Sequence, residues 1–261
     1  MSQNIIYCFS GSGNCLDIAK NIAKELGDTD IVSIKKMPVI RNATNYKTVG
    51  FVFPCHGGGL PCDMEKYLGM LNVSFASYTY GVVSYAGYPG VGMAKLNKRI
   101  PLDYWNKISH HCSCIWLFPH QLMLPMLSAK KAQKRSEKLA KEIAQDIKKR
   151  VIIEESVPEN AFNNLESKVF PSLNMKKIAQ FNVDSEKCTT CGMCEKLCPK
   201  GNIKISGGKA EIGTNCIGCL SCLQFCPTEA INIGKITIGR QRYHNANIKA
   251  NELMKDIIHI D

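Results

Sequence analysis

Acidic residues are scarce in this 261-residue chain: 22 Asp and Glu stand against 33 Lys and Arg, for a formal net charge of +11. Long apolar runs are absent too. The two stretches free of charged residues, 67–94 and 108–129, are broken, the first by Asn72, Ser74, Ser77, Gly81, Ser84, Gly87 and Pro89, the second by His110, His111, Pro119, His120 and Pro125. A membrane-spanning helix needs about 20 predominantly apolar residues, so no span is expected. Met1-Ser2-Gln3-Asn4 lacks the basic start of an export signal and the apolar run 5–9 is too short for its core, so a cytoplasmic location is expected. The basic excess lacks the interleaved aromatics or reader motifs of nucleic-acid binding, and no nucleic-acid partner is expected. Hydrophobic residues at 45% and charged residues at 21% exclude disorder and a coiled coil.

Cysteine is in excess, with 14 residues. In a reducing compartment such clusters are more often metal sites than disulfides. Six of them (Cys8, Cys15, Cys55, Cys62, Cys112, Cys114) are scattered along the chain well before Cys188. The other eight form two runs, Cys188-x-x-Cys191-x-x-Cys194-x-x-x-Cys198-Pro199 and Cys216-x-x-Cys219-x-x-Cys222-x-x-x-Cys226-Pro227, related by one constant offset (188 to 216, 198 to 226). Ile203 and Ile205 repeat as Ile231 and Ile233 at the same offset, which marks a duplicated unit. Zinc usually takes Cys-x-x-Cys pairs, without a third cysteine or the Cys-Pro step. Three closely spaced thiolates instead suit three irons of a cubane, and Gly192, Gly218, Pro199 and Pro227 suit tight loops whose amides point at cluster sulfurs.

The stretch from Phe181 to about Ile238 resembles a bacterial two-cluster ferredoxin. That resemblance implies two [4Fe-4S] clusters and crossed ligation, the fourth Cys of each run serving the other cluster. One cluster would take Cys188, Cys191, Cys194 and Cys226, the other Cys216, Cys219, Cys222 and Cys198.

In the first half, residues 4–9 read as a buried strand. The loop Ser10-Gly11-Ser12-Gly13-Asn14-Cys15 follows, then a helical pattern ending at Gly27. Further strands are predicted at 31–34, 49–54, 80–84 and 114–118, with helices at 61–71 and 89–99. This alternation indicates a parallel sheet covered on both faces. Ligands bind such sheets at the C-terminal ends of the strands. There the chain places Pro54-Cys55-His56-Gly57-Gly58-Gly59 and Ser84-Tyr85-Ala86-Gly87-Tyr88-Pro89-Gly90 beside the first loop, whose backbone N–H groups open a helix toward an anion.

Residues 1–150 resemble flavodoxins, with the first loop as their phosphate loop. The resemblance implies FMN, flanked by the second and third loops, with Tyr85 or Tyr88 stacking on the ring and Gly57-Gly58-Gly59 free to flip a peptide. Cys15 stands where flavodoxins typically place Thr or Ser, and His56 where an aromatic stacker would sit.

The remaining features divide between surface and packing. Segment 128–150 carries nine Lys and Arg against three Asp and Glu, while Ala132, Leu139, Ala140, Ile143, Ala144 and Ile147 form an apolar stripe at helical spacing. Its basic face suits solvent or an acidic redox partner. Cys112 and Cys114 are expected as core thiols of a strand, and Cys55 and Cys62 as small structural residues or a redox pair. The Met-bearing loop 119–127 suits packing or docking. The expected architecture is a doubly wound, flavodoxin-like five-stranded parallel sheet (1–150), a connector (151–180), an α+β two-cluster ferredoxin domain (181–239) and a tail (240–261) with a short helix near 248–258, where Arg242, Tyr243 and His244 lie within reach of a cofactor. The expected function is electron transfer among FMN, two clusters and a protein partner; a flavin-dependent reductase, or a ferredoxin on a flavin-free scaffold, are the alternatives.

Overall fold

The computed structural model describes residues 2–74, 77–111, 113–114, 128–159, 165, 167 and 180–261. Strand β1 (Asn4–Cys8) is fully buried and runs into the Ser/Gly loop. Helix α1 (Asn14–Leu26) starts after Gly13, whose φ of +98° is open to glycine, and stops at Gly27, whose N–H bonds the Ala23 carbonyl at 2.8 Å. Then come β2 (Thr29–Ser33), β3 (Thr48–Pro54), α2 (Met64–Leu68), β4 (Tyr78–Tyr85), α3 (Gly92–Arg99), β5 (Tyr104–Ser109) and α4 (Ala129–Lys148). Along β3 and β4 nearly every residue is buried, as a strand covered on both faces requires.

The five strands pair in parallel in the order 2-1-3-4-5, which is the flavodoxin-like arrangement. Ile6, Val52, Tyr80 and Val82 face α1 and α4 on one side; Tyr7, Phe51, Phe53 and Val83 face α2 and α3 on the other.

Two expectations need correction. A strand not expected from the sequence, Tyr104–Ser109, takes the fifth place among the described residues, while the predicted strand 114–118 lies outside the described residues except for Cys114. Strand β5 follows the polar turn after α3, and its Tyr-Trp-Asn-Lys-Ile-Ser composition is that of a half-buried strand, without an apolar run. Cys114 lies in coil, so it is not a core strand thiol; Cys112, residues 115–127 and most of 151–180 lie outside the described residues. The tail also differs. A short 3-10 helix (Ala250–Met254) gives way to a strand, β10 (Ile257–Ile260), which pairs antiparallel with β2 and makes the sheet six-stranded. The alternation Ile257, Ile258, His259, Ile260 reads equally as strand, and β2 offered an open edge.

The C-terminal unit repeats itself in space. Strand β6 (Phe181–Val183), helix α5 (Met193–Leu197) and β7 (Ile203–Ser206) recur at the cysteine offset as β8 (Lys209–Ile212), helix α6 (Ser221–Gln224) and β9 (Ile231–Ile233). The backbone repeats too: left-handed residues Thr190, Gly192 and Gly201 match Gly218, Leu220 and Glu229 at that offset. The halves exchange strands, β6 pairing with β9 and β7 with β8. Ile203, Ile231 and Ile233 fill the small core between them.

Among the described residues no helix is long and apolar enough to cross a membrane. Helix α4 buries Ala132, Ala140, Ile143, Ala144 and Ile147 and leaves its lysines and arginines largely exposed.

Candidate functional site

The last cysteine of the second run, Cys226, lies beside three cysteines of the first. Cys188, Cys191, Cys194 and Cys226 line a single small cavity of about 20 Å³ beneath Ile205 and Ile231. Burial pushes the Cys194 thiol up, and Cys226 and Cys188 push it further as nearby negative charges. In the second run, burial pushes Cys216 up to about 11, with Cys219 and Cys198 adding to the shift. Cys222 rises well above the ordinary thiol range through burial, with Cys219, Cys216, Cys198 and Cys194 around it. Cys226 thus lies with the first run, and Cys198 is within electrostatic reach of Cys216 and Cys222. Backbone amides also point at ligand sulfurs: Gly218 N–H donates to Cys216 Sγ at 3.4 Å, and Asn202 N–H to Cys198 Sγ at 3.3 Å. Among the described residues no three His, Cys, Asp or Glu side chains gather as ligands of one ion would; a cubane spreads its four thiolates over four irons.

The three loops predicted for FMN do converge at the C-terminal ends of β1, β3 and β4. What faces them is the second cysteine run. A cavity there is lined by Ser10–Cys15 (except Gly13), Pro54–His56, Ser84–Ala86, and also by Gly218, Cys219 and Leu220. A Cβ placed on Gly11 would lie 2.0 Å from the Cys219 carbonyl oxygen, so the two backbones are in direct contact. Ser221 Oγ donates to the Gly11 carbonyl at 3.0 Å. Burial lowers the His56 pKa while a hydrogen bond to the Gly218 backbone offsets it, which ties the second loop to the same turn. Ile217 joins the core on one side of the sheet; Leu197 and Phe225 join the other.

The tail closes the rest. Asn245 N–H donates to the Ser12 carbonyl at 2.8 Å, and Tyr243 Oη donates to Asn14 Oδ1 at 2.8 Å. Asn14 spends its amide on the His111 carbonyl at 3.2 Å, and Ser10 Oγ accepts from the Leu16 N–H at 3.2 Å. Cys15 is buried, and its thiol bonds Ser84. The second and third loops hold each other: Val91 N–H donates to the Gly58 carbonyl at 2.8 Å, and a Cβ on Gly90 would lie 2.2 Å from that oxygen. Gly57 and Gly58 have positive φ within a turn closed by His56 and Gly59. Tyr85 reaches the cavity wall, whereas Gly87 and Tyr88 are exposed and lie outside its lining. The space left is about 90 Å³, against roughly 300–1,000 Å³ in sites that hold a drug-sized ligand. This arrangement does not fit FMN.

Cys62 is exposed, beside the Asp63–Lys200 ion pair (2.9 Å) that joins the two domains, and near enough to Cys216 to raise its pKa. Cys55 lines the loop cavity. Two contributors carried no sequence signal. Lys35 reads as half of a surface Lys35-Lys36 pair but is buried, and Gln224 donates to the Ser113 carbonyl at 2.6 Å while accepting from Tyr243 N–H.

A flavodoxin-like α/β domain with a dicluster iron–sulfur domain seated on its ligand-binding edge is the class that fold and site define. Residues 187–231 match the 4Fe-4S dicluster domain. Over 72 residues the chain is 40% identical to an uncharacterized ferredoxin of Methanocaldococcus jannaschii, a stretch covering 26% of this chain and 92% of that protein. Through this segment the chain belongs to the 4Fe-4S dicluster ferredoxin family, and it is an electron-transfer chain that joins this dicluster domain to a flavodoxin-like one. Among solved structures, a flavodiiron core from Synechocystis is 16% identical over 57% of this chain and 36% of its own length, at a TM-score of 0.39. A Streptococcus pneumoniae flavodoxin is 17% identical over 55% of this chain and 97% of its own, at 0.35. The chain thus spans about a third of the flavodiiron core.

The interface also carries a pH dependence. His110 is 3% exposed, and its Nδ1 accepts the His111 N–H at 2.8 Å. Burial, aided by His111 and opposed by Gln133, lowers its pKa to about 4. The native state therefore refuses a proton that the unfolded chain accepts below about 6.5. Stability is unaffected above that pH and falls as pH drops from about 6.5 toward 4, by up to ~3 kcal/mol. The drop in thermal midpoint between pH 7.5 and 5 should be smaller in His110→Gln than in the parent, and an equal drop in both would reject this assignment.

Proposed function

We propose that this chain is a two-cluster electron carrier whose flavodoxin-like domain works without flavin, as a rigid mount for the ferredoxin domain. Cys188, Cys191, Cys194 and Cys226 would hold the first [4Fe-4S] cluster, and Cys216, Cys219, Cys222 and Cys198 the second. Each cluster supplies one-electron uptake and release when bound. The observation that supports the reading best is Cys226 lining one cavity with Cys188, Cys191 and Cys194, as crossed ferredoxin ligation requires and zinc pairs do not.

The flavin-linked reading, in which FMN passes electrons to the clusters, asks for a slot between the three loops. The contact of Gly11 with Cys219 and the Val91–Gly58 bond argue against it, and they argue equally against a reductase with an open flavin face. A cytoplasmic setting suits eight reduced thiols that take up iron.

The two clusters differ in access. Cys191 is exposed, whereas the second group lies against the N-terminal domain. Exchange with a partner would run through the first cluster. The exposed lysines of α4 favour a partner with an acidic surface.

Anaerobic purification with counts of iron, sulfide and flavin tests this reading. About eight iron and eight sulfide per chain, with no flavin, are expected. Stoichiometric FMN alongside both clusters would reject the flavin-free mount, and bound zinc in place of iron would reject the carrier.

A further inference from the structure

Lys35 stands two residues beyond the end of β2 and is 3% exposed. Its Nζ lies 3.3 Å from Ser221 Oγ, inside the second cysteine run, and Ser221 in turn is fixed by its bond to the Gly11 carbonyl. In the first run the equivalent position is Met193, which offers no such anchor. Burial lowers the Lys35 pKa, and Cys219, Cys8, Cys198 and Cys222, within electrostatic reach, oppose that shift. Cys8 is a buried neutral thiol, its pKa pushed up to about 12 by burial. Among the described residues no carboxylate pairs with Lys35. Glu252, across the small cavity they share, is engaged by Lys20.

An ammonium buried without a counter-charge costs several kcal/mol, so a site of this kind needs an anion. The anionic groups within reach are the thiolates of Cys219, Cys198 and Cys222 once they ligate a cluster. We propose that Lys35, from the flavodoxin-like domain, holds up the reduction potential of the cluster bound by Cys216, Cys219, Cys222 and Cys198. This rests on the cluster assignment above. A one-electron reduction adds a unit of negative charge without forming or breaking a bond. The electron comes from an external low-potential donor such as dithionite or a mediated electrode. A fixed cation nearby stabilises the reduced state over the oxidised one, and more so in a buried site than in water.

The first cluster provides an internal control. Its nearby cation is Arg242 of the tail, which interacts with Cys226 but also with the carboxylate of Glu229. It bonds the Ile231 carbonyl at 2.9 Å and Asn232 Oδ1 at 2.8 Å. Lys35 has no comparable acidic neighbour among the described residues. The flavodoxin-like domain thereby acts on the electron chemistry of a cluster it does not ligate.

The test is a mediated redox titration of the full-length holoprotein, with electron paramagnetic resonance of the reduced clusters. In Lys35→Met, one of the two one-electron couples should fall by at least a tenfold change in the oxidised-to-reduced ratio at fixed potential, about 59 mV for a one-electron couple. The other couple should stay in place and the iron count should match the parent. Lys35→Gln, which can still bond Ser221, should show the same fall, and Lys35→Arg should restore the parent value. Combining Lys35→Met with Cys198→Ala identifies the couple: the one surviving cluster should not respond. Unchanged couples in both Lys35→Met and Lys35→Gln at parental iron content would overturn the proposal, as would a response from the surviving cluster. A parent protein without two clusters would instead overturn the functional reading on which it stands.

Discussion

Gly11→Ala is expected to lower the stability of the iron-loaded protein by about 1–3 kcal/mol, and Gly11→Val by more. The reason is contact alone. Gly11 does not have a positive φ, so its backbone accepts any residue. The added Cβ would lie 2.0 Å from the Cys219 carbonyl oxygen and 3.1 Å from its carbon, and these are backbone atoms that cannot rotate aside. Relief requires the cysteine loop to lift off the Ser10–Asn14 loop. That movement breaks the Ser221–Gly11 bond, loosens Lys35 and admits water to the second cluster. Two readouts should move together: a lower thermal midpoint, and faster loss of about half the iron in air. Gly87→Ala in the third loop is the matched control. Nothing lies within 4 Å of its added Cβ and its φ is not positive, so its effect should stay within about 0.5 kcal/mol. A Gly11→Ala protein with parental midpoint and iron retention would mean that the cysteine loop does not rest on the flavodoxin-like edge.

That edge is where sequence and structure part. The ferredoxin repeat was legible almost to the residue, because ligand chemistry dictates spacing and the duplication supplies its own check. The alternation of strands and helices was legible too, since β1, β3 and β4 are buried on both faces and carry near-continuous apolar runs. Edge strands were harder. Neither β5 nor β10 has the composition of a buried strand, and β10 exists as a strand because β2 presents an unpaired edge for it to add to. The phosphate loop was the deepest ambiguity. Ser10-Gly11-Ser12-Gly13-Asn14 predicts a backbone shape open to an anion, and the shape is there. Its occupant is set by tertiary contacts from the far end of the chain: Cys219, Ser221, Tyr243 and Asn245. No local pattern encodes that. Lys35 was invisible for the same reason, since a lysine's burial depends on what folds over it.

The second large effect concerns Cys198. It belongs to the first sequence run, yet Cys198→Ala should remove the second cluster, cutting iron from about eight to about four per chain. Thermal stability should fall more than in Cys226→Ala, which removes the first cluster. Without the second cluster, the buried Lys35 ammonium loses its anionic surroundings, and stripping one partner from a buried charge pair costs about 3–5 kcal/mol. Losing the first cluster costs less, because Arg242, although it loses Cys226, keeps the carboxylate of Glu229 nearby and its bonds to Asn232 Oδ1 and the Glu229 carbonyl. Double variants decide which cysteines work together. If ligation is crossed, Cys198→Ala with Cys219→Ala should still leave about four irons, since both changes strike one cluster, whereas Cys198→Ala with Cys191→Ala should leave none. An uncrossed arrangement reverses the two results, with the first pair empty and the second half-loaded. Iron analysis of these two proteins therefore separates the geometries without either cluster having to be identified by spectroscopy. Cys226→Ala and Cys198→Ala report on the interface in the same way: only the variant that keeps the second cluster should keep the ferredoxin domain seated on Gly11.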